Sequence, residues 1–378
     1  MDSKYTEHLL RQLIALPSVN PAFSGTHAAV AGEHSVADFL GATAARGGLD
    51  VEFQNVFPGR RNLLARLSPA GRVRHRIWLV PHLDTVAAVN DGQFIPHRRN
   101  GRLYGRGACD TKASVAAMLH AVLELARARH RPRETEITFA GVVDEENAQA
   151  GSRALARGGL KAALAIVGEP TRLKVVTAHK GSLWLRLHTQ GKSAHGARPE
   201  LGRNAIHAMA RIVDALETEY AKHLRRRRHP VLGCPTISVG TIHGGTQPNI
   251  VPDACDITID RRTVPGETEA AVRREIIDFL SRRKLKAGFS NEKLAPCLPM
   301  ETDPEHPWVR RFLNSAGQSK PSGVHFFCDA AVLSHAGIPS VVFGPGDIAQ
   351  AHTSDEWISL ASLERGTRML TKFLRDLP

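Results

Sequence analysis

Leu9, Leu10, Leu13 and Ile14 recur at helical spacing with Arg11 among them, and Pro17 closes the pattern. This predicts a surface helix with one buried face, not the continuous apolar run of a secretory leader. From residue 75 to 170, short apolar runs alternate with longer helical ones. His75–Val80, Ile137–Val143 and Ala163–Val167 read as buried strands. Ala113–Leu125 carries Val115, Met118, Leu119, Val122 and Leu123 on a helical face. Strands alternating with helices predict an α/β fold with a mostly parallel, doubly wound sheet covered on both faces.

Near residue 180 the period changes. Leu183, Leu185 and Leu187 alternate with Trp184, Arg186 and His188, the pattern of a strand covered on one face. A helix with Ile206, Met209, Val213 and Leu216 in a stripe follows. Strands come next near Thr236–Thr241 and Cys255–Asp260, then a helix marked by Val272, Ile276, Phe279 and Leu280, with a further strand expected near 290–296. This order predicts a small α+β, ferredoxin-like layer with helices on one face. After about residue 297 the first style returns. A helical stretch begins at Asp329, a short strand covers Ser340–Phe343, and a last helix runs from about Leu360 to Leu374. The expected organisation is a catalytic domain from residues 1–178 and 297–378, interrupted by an inserted domain at 179–296.

Composition adds little to this picture. Hydrophobic residues at 42% and charged residues at 23% are ordinary for a globular protein, and no apolar run is long enough for a membrane span. Cys109, Cys234, Cys255, Cys297 and Cys328 are scattered and odd in number, which argues against a disulfide framework and for a reducing cytoplasm. The net charge is +13, and its densest cluster is Arg225–Arg228. With no nucleic-acid module and no interleaved aromatics, the cluster reads as a solvated loop rather than a specific nucleic-acid surface.

Candidate chemistry gathers after the buried strands. His82-Leu-Asp84 follows the first, and a carboxylate two residues from an imidazole can accept its second N–H. Alone, that pair is equally a loop histidine and a turn aspartate. Asp110, in GRGACDTK, opens a helix and reads either as its N-cap or as a ligand. Asp144-Glu145-Glu146 ends the second strand, and three adjacent carboxylates repel unless something positive stands among them. Glu169 follows the third strand and His352 the last. Sites in open parallel sheets form beyond the carboxyl ends of strands. The convergence of His82, Asp110, Glu146, Glu169 and His352 there suits two divalent ions, best Zn²⁺ for mixed nitrogen and oxygen donors, with Asp110 the simplest bridge. Glu145 is then spare. It can take a proton from the attacking water and deliver it to a leaving nitrogen, which points to amide hydrolysis.

The segments PHLDTV, GRGACDTK, VVDEEN, VGEPT, GKSAHGARPELGRNAI, GGTQPNIVPD, DRRTVPGE and FGPGDIAQAHTSDEW run in order from residue 81 to 357. In this order the chain resembles the dinuclear zinc aminoacyl hydrolases, which include acetylornithine deacetylase, succinyl-diaminopimelate desuccinylase, aminoacylase and glutamate carboxypeptidase. The resemblance implies that His82 and Glu169 hold one zinc ion, Glu146 and His352 the other, and that Asp110 bridges them, with Co²⁺ a possible substitute. It implies that Asp84 orients His82 and that Glu145 is the general base. It implies that His195 reaches the partner subunit's site to stabilise the oxyanion, that Asn249 and Arg262 hold substrate, and that the inserted domain is a lid that forms a homodimer. Phe327-Cys328-Asp329 departs from the family, many of whose members carry Thr-Asp or Ser-Asp there.

The segment around His352 resembles the acetylornithine deacetylase branch most. An N-acyl amino acid such as N-acetylornithine is therefore the expected substrate. Succinyl-diaminopimelate and dipeptide-like amides are the alternatives within the class. An inactive scaffold and a basic nucleic-acid binder are the alternatives outside it.

Overall fold

Ile77, Leu79 and Val80 are buried because their strand lies in the middle of a sheet. In the computed structural model, which describes residues 3–23, 32–128, 131–292 and 297–378, the chain divides into two units. The first is Met1–Thr177, Glu301–Ser322 and Cys328–Pro378; the second is Ala178–Met300 with Gly323–Phe327.

In the first unit, strands run in the order Asp50–Phe57, Arg60–Leu67, Thr135–Gly141, His75–Pro81, Leu164–Gly168 and Ser340–Val342. The last four pair in parallel, with Ile77 set between Ile137 and Leu164. The first two form an antiparallel hairpin that also pairs antiparallel with Thr135–Gly141. Successive residues of a strand face opposite sides. Leu63 accordingly meets the helix His34–Arg46 at Gly41, and Leu64 shares a cavity with Leu155 of the helix Ala150–Arg157. Both faces of the sheet are thus covered, as expected.

The first helix spans Ser3–Ile14, and Leu9, Leu10, Leu13 and Ile14 are all buried. The Lys112–Arg127 helix differs from its one-faced expectation: every residue from Lys112 to Leu123 is buried. It packs against both Ser3–Ile14 and Leu360–Arg375. Its alanines let neighbours approach closely, so it is apolar nearly all round.

In the second unit, Thr236–Gly244, Ala254–Thr263, Gly181–Gln190 and Gly288–Asn291 form an antiparallel sheet in that order. Leu183, Leu185, Leu187, Ile257 and Ile259 pack with residues of two helical segments on one face. The predicted stripe on the first of these, Ala205–Ala215, holds at Met209 and Leu216, which are buried, and at Val213, which packs against the same cluster, but not at Ile206. Ile206 is exposed, and Ala205, Met209, Ile212 and Leu216 form the buried line. A π turn at Leu216–Tyr220 extends that line to Tyr220. The strand expected at 290–296 is found at Gly288–Asn291, and residues 293–296 lie outside those described. Within the Arg225–Arg228 cluster, Arg227 pairs with Glu267 and Glu275, while Arg225, Arg226 and Arg228 are exposed. Among the described residues no helix is long and apolar enough to cross a membrane.

Candidate active site

The carboxyl ends of the parallel strands carry the chemistry. Leu83 N donates to Val142 O, and Val142 N to Pro81 O, so His82 stands on the last rung of the ladder beside Val142. Its Nδ1 lies 3.0 Å from the Asp84 main-chain oxygen and 3.5 Å from the Asp84 carboxylate. The expected orienting contact from the Asp84 side chain is therefore the longer of two. That carboxylate is engaged elsewhere: it accepts from Glu145 N, Glu146 N and Asn20 Nδ2. Asp84 holds the acidic turn as much as the imidazole.

His82 Nε2 lies 3.1 Å from Asp110 Oδ1 and 3.9 Å from Glu169 Oε1. The other Asp110 oxygen is 3.3 Å from His352 Nε2. One carboxylate thus stands between two imidazoles with one oxygen toward each. The N-cap alternative for Asp110 fails, because Thr111 occupies the cap position. His352 Nε2 also lies 3.2 Å from a Glu146 oxygen. One donor atom from each of His82, Asp110 and Glu146 falls within 4.8 Å of the others. All five expected ligands come together in the first unit.

Local backbone makes this possible. Asp144 adopts a left-handed conformation, which aspartate tolerates, and its carbonyl accepts from Ala148 N and Gln149 N. The chain so turns immediately after the strand and presents Glu145 and Glu146. Gly344 passes against Glu169, where an added Cβ would fall 2.5 Å from the Glu169 carbonyl oxygen. Only glycine lets the last strand deliver His352 along that route.

Electrostatics mark the acids. Burial pushes the Glu145 carboxyl well above its usual range; His82 pulls it back, and Glu169, Asp329 and Glu146 push it further up. Burial likewise raises Glu169, with Asp110 adding to the shift, and raises Glu146 against its hydrogen bond to His352. Asp110 is held below its usual range: burial works upward, but hydrogen bonds to His352 and His82 outweigh it. Hydrogen bonds to Asp110 and Glu146 push His352 up to about 10. Asp144 already has its positive partner, Arg60 at 3.1 Å, so the demand for further positive charge falls on Glu145, Glu146 and Glu169.

Several residues were not foreseen. Glu356, buried, accepts from Arg106 NH1 and from the main-chain N–H groups of Gly107, Cys109 and Asp110. It fixes the loop that carries Asp110. Its signal was an acid beside a tryptophan within a segment already singled out. Asn20 bridges Asp84 and Asp144, and Ser152 bonds Asp329, whose carboxyl burial pushes up to about 7. Asn20 gave no signal in isolation. Burial also raises the Cys328 thiol well above its usual range.

The remaining expected residues lie in the second unit. The loops of His195 and Asn249 are adjacent: His195 bridges Ile250, and Gly196 N donates to Asn249 O. His195 Nδ1 accepts from Ala197 N. In the neutral ring the proton then sits on Nε2, which is left as a donor. Arg262 Nε donates to Asp260 and its guanidinium lies 5.9 Å from the centre of the Phe327 ring.

Imidazoles and carboxylates gathered beyond the carboxyl ends of parallel strands define an α/β scaffold with a candidate metal centre. Residues 78–376 match the model of peptidase family M20/M25/M40, and the chain belongs to that family. An acetylornithine deacetylase from Myxococcus xanthus is 34% identical over 324 residues, 82% of each chain. In solved structures, a tripeptidase from Staphylococcus aureus superposes with a TM-score of 0.80 at 19% identity, over 99% of this chain and 98% of that one. A dinuclear metal-binding M20 peptidase from Bacillus subtilis superposes with a TM-score of 0.69 at 14% identity, over 99% and 97%.

Proposed function

We propose that this chain is a metal-dependent amide hydrolase acting on N-acyl amino acids, with N-acetylornithine as first substrate and acetate as a product. The observation that carries this reading is the Asp110 carboxylate set between His82 and His352, surrounded by acids that burial has raised. Two imidazoles and three carboxylates suit a pair of borderline divalent ions, Zn²⁺ first, and would supply most of the compensating negative charge. His82 and Glu169 would hold one ion, Glu146 and His352 the other, with Asp110 between. Such a pair supplies an activated water and a polarised carbonyl.

The protein's own groups do the rest. Glu145 removes the proton of the attacking water and returns it to the leaving nitrogen as the C–N bond breaks. Burial disfavours its charged form, which suits a group that must take up a proton and give it back. Asp84 keeps Glu145 and Glu146 in place through their main-chain N–H groups and holds His82. The Nε2–H of His195 is a donor suited to a developing oxyanion, acting across a homodimer formed through the second unit. Arg262 and Asn249 bind the free carboxylate end of the substrate. The five scattered cysteines, with no paired framework in their spacing, suit a cytoplasmic setting.

Purified protein should hold about two zinc ions per chain and release acetate from N-acetylornithine. Glu145→Ala should lower kcat by about 10²–10⁴-fold while the metal stays bound. Full activity in that variant would sink the mechanism. A panel of acetyl, succinyl, formyl and peptide amides separates the deacetylase from the desuccinylase and peptidase alternatives.

A further inference from the structure

The face of the second unit's sheet away from its helices carries a row of metal-ligating side chains that the proposed activity does not use. In the strand register, His243 of Thr236–Gly244 stands opposite Asp256 of Ala254–Thr263, and Asp256 stands opposite His188 of Gly181–Gln190. Directly paired residues point to the same face, so the row reads His–Asp–His across three adjacent strands. Thr241 and Thr258, one rung away, confirm the facing with a side-chain contact of 2.7 Å. His188 Nδ1 is already 3.1 Å from Asp256 Oδ1, and their side chains are 44% and 34% exposed. His243 is exposed. A cavity of about 450 Å³ lies over this face, lined by His243, Asp256, Arg186 and Trp184 among others.

We propose that His188, Asp256 and His243 form a second, surface metal site for a divalent transition ion. Directly opposed pairs in an antiparallel sheet stand about 4.5 or 5.5 Å apart at Cα, so the two imidazoles flank the carboxylate from opposite sides. The His188 ring is already at Asp256, and binding of one ion requires the His243 ring to turn toward the same carboxylate. Two imidazoles and one carboxylate favour Zn²⁺, Cu²⁺, Ni²⁺ or Co²⁺ over Mg²⁺ or Ca²⁺, which take all-oxygen sites. Arg186 stands nearest in charge, but Glu292 holds it through two hydrogen bonds of 3.0 Å. The guanidinium is therefore balanced and does not repel the ion. With three ligands and open solvent, this site fills after the acid-rich centre and responds to metal in excess.

The test titrates the full chain with Zn²⁺ by calorimetry, beside His188→Ala, His243→Ala and His352→Ala. A weak class of sites should follow the tight ones. It should weaken at least tenfold in both His188→Ala and His243→Ala and persist in His352→Ala. Cu²⁺ bound to the weak class should show two imidazole nitrogens by EPR in the parent and one in each sheet variant. An unchanged weak class in the sheet variants, or its loss in His352→Ala alone, would overturn the proposal. The tight class reports separately on the centre around Asp110, so failure of one reading does not imitate failure of the other.

Discussion

Glu356 touches none of the expected metal ligands through its side chain except by the main-chain N–H of Asp110, yet four donors end on it. Removing its charge leaves Arg106, itself buried, without its partner. Breaking such a buried pair costs about 3–5 kcal/mol, and loss of a group that orients a ligand lowers metal affinity about 10–100-fold. Glu356→Gln should therefore fold less stably and bind zinc more weakly, with a larger fall in kcat than rise in KM. Metal titration and thermal melts of the variant check both effects. His82, Glu146, Glu169 and His352 were legible as candidate ligands because each follows an apolar run read as a buried strand, while Asp110 stood out only in its glycine-containing segment at a helix start. Glu356, Asn20 and Ser152 were not, since a hydrogen bond between residues far apart in sequence leaves no local pattern. Asp84 shows the limit from the other side. Its proximity to His82 was read correctly, but its bonds to Glu145 and Glu146 depend on how the two strands lie side by side.

Among the elements, the first helix and the Lys112–Arg127 helix are joined by the buried Lys112 amine, which burial pushes down to about 7. Lys112 Nζ donates to Leu13 O at 2.8 Å and Leu16 O at 2.7 Å. Leu13 O belongs to the last turn of the helix and also accepts from Leu16 N, while Leu16 O lies just past the helix end; carbonyls there favour a donor. Lys112→Met should remove a donor from both, leaving Leu13 O with only its bond from Leu16 N and Leu16 O without the lysine, at a cost of about 1–3 kcal/mol. Hydrogen exchange should then show the Ser3–Ile14 helix opening before the rest. A helix as protected as in the parent would contradict this. The elements most legible in the sequence were those with a clean period, such as the alternation of Leu183, Leu185 and Leu187. The Asp50–Phe57 and Arg60–Leu67 hairpin was not expected. Its outer strand is nowhere fully buried, and an edge strand of that kind shows no strong apolar period. On Ala205–Ala215 the one miss was Ile206, an apolar residue that faces solvent while Ala205 and Ile212 are buried.

For the whole molecule, the acid-rich centre ties stability to pH and to metal. His352 is raised from 6.5 to about 10, with the Asp110 hydrogen bond the main cause. The folded chain then holds a proton that the unfolded chain has released. That contribution is complete below about 6.5 and is lost as pH climbs toward 10. The raised carboxyls of Glu145, Glu146 and Glu169 act with the same sign above their ordinary 4.5. Chelated protein should therefore lose melting temperature as pH rises from about 6.5 to about 10. Metal-loaded protein should melt higher and change less, because bound cations take the place of those protons. A chelated sample whose melting temperature is flat over this range would refute the linkage.

The Leu164–Gly168 strand takes its outer partner from Ser340–Val342, across the whole second unit in sequence. During synthesis the earlier strand leaves the ribosome long before the later one exists. At about 5–20 residues per second, the delay is on the order of ten seconds or more. Over that interval the nascent chain presents an open strand edge beside Glu169, and His352 has not yet been made. Protecting that edge from pairing with other chains falls to chaperones or to the rest of the growing polypeptide. The second unit, continuous but for a short return segment, can fold while the first waits.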